Sequence, residues 1–144
     1  MKILFINLRF GKNGLATNIL ELTRGMVKKG HKVHIITAGF YATSNNDPQF
    51  FKELKTEFKS LGVQLHYVSR PVGNLLVRSF KSVGMILGTA YHILKIKADV
   101  IHCHSPNLTF VPWLLGKKYV STVHADTLRP NLRYKHPTLL IAVS

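Results

Sequence analysis

Three histidines stand at or beside the polar ends of apolar runs: His102 and His104 in Asp99-Val-Ile-His-Cys-His104, and His124 directly after Tyr119–Val123. Residues two apart on a strand face the same side, so His102 and His104 share a face and Cys103 takes the other. A metal site here would need a third donor such as His124 from a neighbouring strand. No acidic or thiolate side chain is spaced to close it, so no metal is expected. His102 reads as a core histidine bonded to backbone. His124, followed by Ala125 and Asp126, has the position of a catalytic or substrate-orienting imidazole, able to donate or accept a hydrogen bond near neutral pH. A loop histidine with no task is the alternative. Nucleophilic triad chemistry has no support: there is no G-x-S-x-G elbow, and Ser105 precedes a proline. Paired carboxylates are absent too, since Asp99 and Asp126 are the only acids in the second half.

The other chemistry-bearing stretch is Asn7–Gly14, NLRFGKNG. Its glycines Gly11 and Gly14 let the backbone turn sharply or let a ligand approach it closely. The spacing is neither G-x-G-x-x-G nor G-x-x-x-x-G-K-[ST], so neither phosphate fingerprint is present. A plain tight turn and an anion-facing loop both fit. The second gains weight because the amides of Gly11–Leu15 would lie at a helix N-terminus, which favours a negative group.

These residues need elements to hold them. Ile3–Ile6 is apolar without alternation, as in a strand covered on both faces. From Ala16 the period changes: Ile19, Leu22, Met26 and Val27 fall on one helical face, and Gly30 ends the helix behind Lys28 and Lys29. Val33–Ile36 is a second strand, completing a right-handed βαβ unit. Asp47-Pro48 starts a helix carrying Phe51, Leu54, Phe58 and Leu61. Val63–Val68 alternates and reads as less buried or nearer an edge. Asn74–Lys97 is the longest periodic segment. Its stripe Leu76, Phe80, Val83, Leu87, Ala90 and Leu94 is expected to pack on the sheet, with Arg78, Lys81, His92 and Lys95 on the other side. Gly84 and Gly88 read as close helix–sheet packing. A short helix over Leu108–Leu115 comes next, then a strand Tyr119–Val123 and a last strand Leu139–Val143. The expectation is one doubly wound α/β domain over residues 1–144, Rossmann-like, with a mainly parallel sheet ordered 3-2-1-4-5-6. The polar strand ends then share one edge, where ligands bind in such sheets.

Twenty Lys and Arg against six Asp and Glu give a formal charge of +14. That points to an anionic partner. No recognised nucleic-acid motif accompanies the charge, so nucleic acid is not expected. The stripe Arg78, Lys81 and Lys95 suits an anionic membrane surface. With a single cysteine, Cys103, no internal disulfide can form. Neither a signal-peptide core nor a stretch of about 18 apolar residues occurs. A cytoplasmic protein, peripheral on the inner face of a membrane, is expected.

Three stretches in order resemble the N-terminal domain of the retaining GT-B glycosyltransferases, family 4-like. The first is NLRFGKNGLATNILELTRGMVKKGHKVHIITAG, with Gly30-His31-Lys32-Val33 at the turn. The second is Ala98-Asp-Val-Ile-His-Cys-His104-Ser-Pro-Asn107. The third is Ser121-Thr-Val-His124 followed by Leu140-Ile-Ala-Val-Ser144. The resemblance implies a hexosyltransferase acting in cell-envelope glycan or glycolipid synthesis. Its donor is a nucleotide sugar, its acceptor a glycan or lipid-linked molecule, and it needs no cofactor or metal. It places Gly11, Asn13 and Gly14 toward the donor phosphates and acceptor, His104 and Asn107 beside the acceptor cleft, and His124 on the transferred sugar. Two departures matter. Asn13-Gly14 stands where the family has adjacent glycines. The glutamate pair eight positions apart, which marks the family's donor-binding domain, is absent, since Glu21, Glu53 and Glu57 are the only glutamates. The chain is therefore expected to be the acceptor-side half, its donor half being a missing C-terminal domain or a separate subunit. The rival is a non-catalytic Rossmann-like binding or membrane-docking subunit that needs a partner.

Overall fold

A computed structural model describes residues 1–40, 47–105, 108–123 and 137–142. In chain order the elements are β1 (Lys2–Ile6), α1 (Gly14–Lys28), β2 (Lys32–Thr37), α2 (Pro48–Ser60), β3 (Gln64–Tyr67), α3 (Leu75–Ile96), β4 (Val100–Cys103), α4 (Phe110–Leu114), β5 (Val120–Val123) and β6 (Leu139–Ala142). The six strands form one parallel sheet in the order β3-β2-β1-β4-β5-β6. This is the expected doubly wound order, with β3 at an edge.

Alternation along β1 splits the core into two layers. Ile3 and Phe5 join Ile19, Val33, Ile35, Leu54 and Phe58 on the α1/α2 side. Leu4 and Ile6 join Ile36, Met85, Ile93, Ile96, Ile101, Leu108 and Tyr119 on the α3/α4 side. Both faces of the sheet are thus covered, which is why β1 reads as an unbroken apolar run and β2 as one broken only by His34. Each long helix has a side-chain cap: Asn13 for α1, Asp47 for α2 and Asn74 for α3. On the surface, Arg24 bridges Glu21 of α1 and Glu57 of α2.

Helix α3 overturns one expectation. The stripe Leu76, Phe80, Val83, Leu87 and Leu94 faces away from the sheet and is exposed. The face that packs is Met85, Thr89, Ile93 and Ile96, with Ala90 partly buried beside it. Thr89 tolerates burial because its hydroxyl donates to the Met85 carbonyl, 2.7 Å away. A helix that is apolar nearly all round shows two stripes, and the period cannot say which one is covered. Gly84 and Gly88 do mark a close approach. A methyl at Gly84 would come 2.9 Å from Ser69 Oγ, and one at Gly88 3.2 Å from Val68 Cγ1, in the segment just after β3.

Candidate active site

The exits of β1 and β4 lie side by side. Ile6 pairs with Cys103, and the His104 amide donates to the Ile6 carbonyl at 2.9 Å, extending the ladder by one residue. Beyond that point Asn7 is buried, and its amide donates to Ile36 O at 3.0 Å. The Leu8 amide donates to Ser105 Oγ at 2.7 Å, and the Ser105 hydroxyl donates to Asn7 Oδ1 at 3.5 Å. Asn7 Nδ2 donates to the Arg9 carbonyl at 2.9 Å. These bonds satisfy side chains that would otherwise be costly to bury, and they tie the start of the glycine loop to β4. On the other flank Ala38 N donates to Leu8 O at 2.8 Å and Phe10 N to Gly39 O at 3.0 Å. Gly39 takes φ 131°, which only glycine adopts readily. Phe10 is fully buried, with ring centroids 4.9 Å from Phe40 and 5.5 Å from Phe58.

The loop then delivers Gly11, Asn13 and Gly14 to the start of α1. Asn13 N donates to Gly11 O at 3.0 Å, and Asn13 Oδ1 accepts from Ala16 N at 3.2 Å. The cap uses the Ala16 amide and leaves those of Gly14 and Leu15 as the first-turn donors that a helix start presents outward. No acidic residue occupies the first turn of α1, so the positive end of the helix dipole has no competitor for an anion there. Lys12 is committed elsewhere. Its Nζ lies 2.8 Å from Asp47 Oδ2, while Asp47 Oδ1 accepts from Phe50 N at 2.9 Å. These hydrogen bonds, Lys12 first, hold the Asp47 carboxyl below the usual carboxylate range, and Asp47 in turn raises Lys12. With Lys12 paired, the groups this loop offers to solvent are its first-turn amides and the exposed Arg9 side chain.

A methyl built at Gly14 meets nothing within 4 Å. Gly14→Ala is accordingly expected to leave thermal stability within about 1 kcal/mol of the parent. A large drop in melting temperature would show that the amide is not open as described.

Among the histidines, His102 and His104 do share a face: their ring centroids are 4.1 Å apart and both meet Phe5 at 5.6 Å. Nε2 of His102 lies 2.6 Å from Thr122 Oγ1 of β5. Its side-chain partner is thus a neighbouring strand's hydroxyl, where a backbone partner was expected. His104 is only 3% exposed. It packs against Phe5 beneath the surface. Cys103 is buried on the opposite face, and burial pushes its thiol up to about 12, so it is unreactive. Asn107 and His124 lie outside the described residues. So β5 brings the chain to Val123, one residue short of His124. No group of three His, Cys, Asp or Glu that could hold a metal ion occurs among the described residues.

A second polar cluster, between α3 and the β2–β3 edge, was not anticipated. Nδ1 of His34 lies 3.1 Å from Nε2 of His66, and the His66 ring centroid is 4.8 Å from that of His92. Burial, then neighbouring positive charge, lowers all three pKa values, that of His66 to about 4. His34 and His66 sit on separate strands, and only the pairing of Ile36 with His66 brings them together. Alternation in Val63–Val68 was the one visible trace.

The model of glycosyltransferase family 4 matches residues 12–143. The chain belongs to glycosyltransferase family 4. No curated protein sequence matches it. Solved structures share its fold at low identity. MurG from Acinetobacter baumannii is 11% identical, with TM-score 0.59, over 84% of this chain and 34% of that one. A glycosyltransferase from Rickettsia africae is 18% identical, with TM-score 0.59, over 90% of this chain and 31% of that one. UDP-GlcNAc 2-epimerase from Neisseria meningitidis, bound to UDP-GlcNAc, is 12% identical, with TM-score 0.54, over 85% and 31%. This family 4 chain, a Rossmann-like domain of the N-terminal GT-B type, spans about a third of the length of each of these proteins.

Proposed function

We propose that this chain is the acceptor-side domain of a hexosyltransferase that moves a sugar from a nucleotide-sugar donor to a glycan or lipid-linked acceptor, with retention of configuration, in cell-envelope glycan or glycolipid synthesis. The observation that carries the reading is the family 4 match across residues 12–143, which takes in the end of the glycine loop at α1 and the exit of β4. The Neisseria epimerase, which shares the fold, is bound to UDP-GlcNAc. In this reading His124 hydrogen-bonds a hydroxyl of the transferred sugar and holds the anomeric carbon for attack from the face the leaving group departs. Gly11, Asn13 and Gly14 lie toward the donor phosphates. Amides such as those of Gly14 and Leu15 are already aimed outward, and such preorganised donors act most strongly on the charge that develops on the leaving group. Asn107, with His104 beneath, is assigned to the acceptor side. The donor nucleotide is held mainly by a second domain, carried on the same polypeptide or on a partner subunit.

The 144-residue chain is expected to show no robust turnover by itself with a panel of nucleotide sugars, and transfer is expected when a donor-binding domain is supplied. Robust turnover by the chain alone overturns the division of labour. Failure with every donor domain and sugar tried favours the second reading, a docking subunit without chemistry of its own, which the exposed face of α3 supports.

A further inference from the structure

The outer face of α3 has no covering among the described residues. Leu75 is 80% exposed, Leu76 72%, Phe80 78% and Leu87 63%, and Val83, Tyr91 and Leu94 are exposed with them. Every residue from Leu75 to Lys81 is exposed, so the helix begins as a projection beyond the sheet and only its later turns are packed. Large aliphatic and aromatic side chains gathered on one helix face mark an interaction site.

The charge around this face is of one sign. Helix α3 contains no Asp or Glu; Lys95 borders the apolar stripe, and Arg78 and Lys81 stand further round the N-terminal turns, where every residue is exposed. Lys95 sits over the exposed Tyr91 ring at 5.3 Å, which keeps it at the margin of the stripe, and Lys81 reaches back to the Val72 carbonyl at 3.2 Å. The acids Glu21, Asp47, Glu53 and Glu57 belong to α1, α2 and the α2 cap, on the opposite face of the sheet, and three of them pair with Lys12 or Arg24.

We infer that α3 lies in the plane of an anionic lipid bilayer, with Leu76, Phe80, Val83 and Leu87 entering the acyl boundary, Lys95 at the level of the headgroups, and Lys81 and Arg78 adding positive charge behind them. An apolar stripe bordered by cations is the pattern of an interfacial helix, and each basic residue near such a surface adds to binding. No helix among the described residues is long and apolar enough to cross a membrane, so the helix lies on the bilayer. A second copy of the chain is a poor occupant, because two such faces would bring cation against cation in a protein of net charge +14. A nucleic acid would use the cations and leave the aliphatic stripe in water, since its phosphates and base edges offer Leu and Val no partner.

The test is independent of sugar transfer. The chain is sedimented with vesicles of phosphatidylcholine plus phosphatidylglycerol, and with vesicles of phosphatidylcholine alone. At low salt the mixed vesicles are expected to bind it roughly tenfold more tightly or better. The double variant Leu76→Gln/Phe80→Gln is expected to lose roughly tenfold or more in affinity for the mixed vesicles, with its melting temperature unchanged because both side chains are exposed. Lys81→Gln/Lys95→Gln is expected to weaken binding and flatten its salt dependence. Equal binding to both vesicles, or none to either, overturns the inference. So does undiminished binding by the Leu76/Phe80 variant. Concentration-dependent dimerisation abolished by those same substitutions would assign the face to a second copy instead, and tight binding to a nucleic-acid duplex that the Leu76/Phe80 variant loses would assign it to nucleic acid.

Discussion

Replacing His124 with alanine is expected to lower kcat by roughly a hundredfold or more in the enzyme assembled with its donor domain. KM is expected to change far less. The proposed hydrogen bond positions the anomeric carbon mainly in the transition state, and loss of such a contact appears in kcat and in kcat/KM alike. The chain reaches His124 directly from the end of β5 at Val123, on the sheet edge where the β1 and β4 exits meet. His102→Ala is the internal comparison. His102 bonds Thr122 and packs against Phe5, so its loss should lower melting temperature before it touches turnover. His124→Ala should alter stability by no more than about 1 kcal/mol. If His124→Ala turns over at a near-normal rate, or fails only because it unfolds, the assignment is wrong.

Acidification is expected to loosen the α3 side of the domain well before carboxylates titrate. The rings of His34, His66 and His92 are held neutral by burial, and the charges that act on them, those of Lys2, Lys32 and Lys95, are all positive. In the folded chain His66 takes its proton only near pH 4, against an ordinary value of 6.5. Above about 6.5 the ring is neutral in both states and contributes no slope. As pH falls from there toward 4 the unfolded chain binds protons that the folded chain refuses, so stability declines across that window. Because the rings are only half buried, solvent screening keeps the loss for His66 to about 1 to 2 kcal/mol. The hydrogen-bonded pair adds a geometric reason: with both rings fully protonated, neither His34 Nδ1 nor His66 Nε2 can accept. Thermal melts from pH 7.5 to 4.5 check this, with His66→Gln expected to flatten the decline. An identical pH profile in parent and variant would remove the cluster from the explanation.

Much of the architecture was legible because the signals were local. An unbroken apolar run at Ile3–Ile6 and a second run, Val33–Ile36, broken only by His34, with a glycine loop and a capped helix between them, allow little besides a buried parallel βαβ unit. The six-strand order came from repeating that logic. Helix α3 was misread for a physical reason. Its two faces are almost equally apolar, and the covered one contains Thr89, whose hydroxyl is satisfied within its own helix and gives no outward sign of burial. Where a partner replaces water on one face, periodicity loses its power to say which face is inside. The turn from β1 into α1 was legible from the glycines of Asn7–Gly14 and the change of period at Ala16. The candidate site was not legible at Asn7 and Ser105, whose contacts join residues almost a hundred positions apart. The His34–His66 pair was hidden likewise, since it depends on strand register. The depth of His104 at the β4 exit was not legible either, because alternation assigns a face and says nothing of what lies over it.

Phe10 carries one further consequence. Its ring is wedged between Phe40 and Phe58, and its amide is bonded across to Gly39. The glycine loop is therefore riveted at its midpoint to the hydrophobic interior, and cannot swing without pulling an aromatic ring out of the core. On the proposed reading its amides would meet an incoming anion already in register, so capture there would lose little chain entropy and need no closing movement of the loop. Any gating of the site must then come from other parts of the enzyme, and substrate encounter at this edge should be limited by diffusion and charge rather than by rearrangement of the loop.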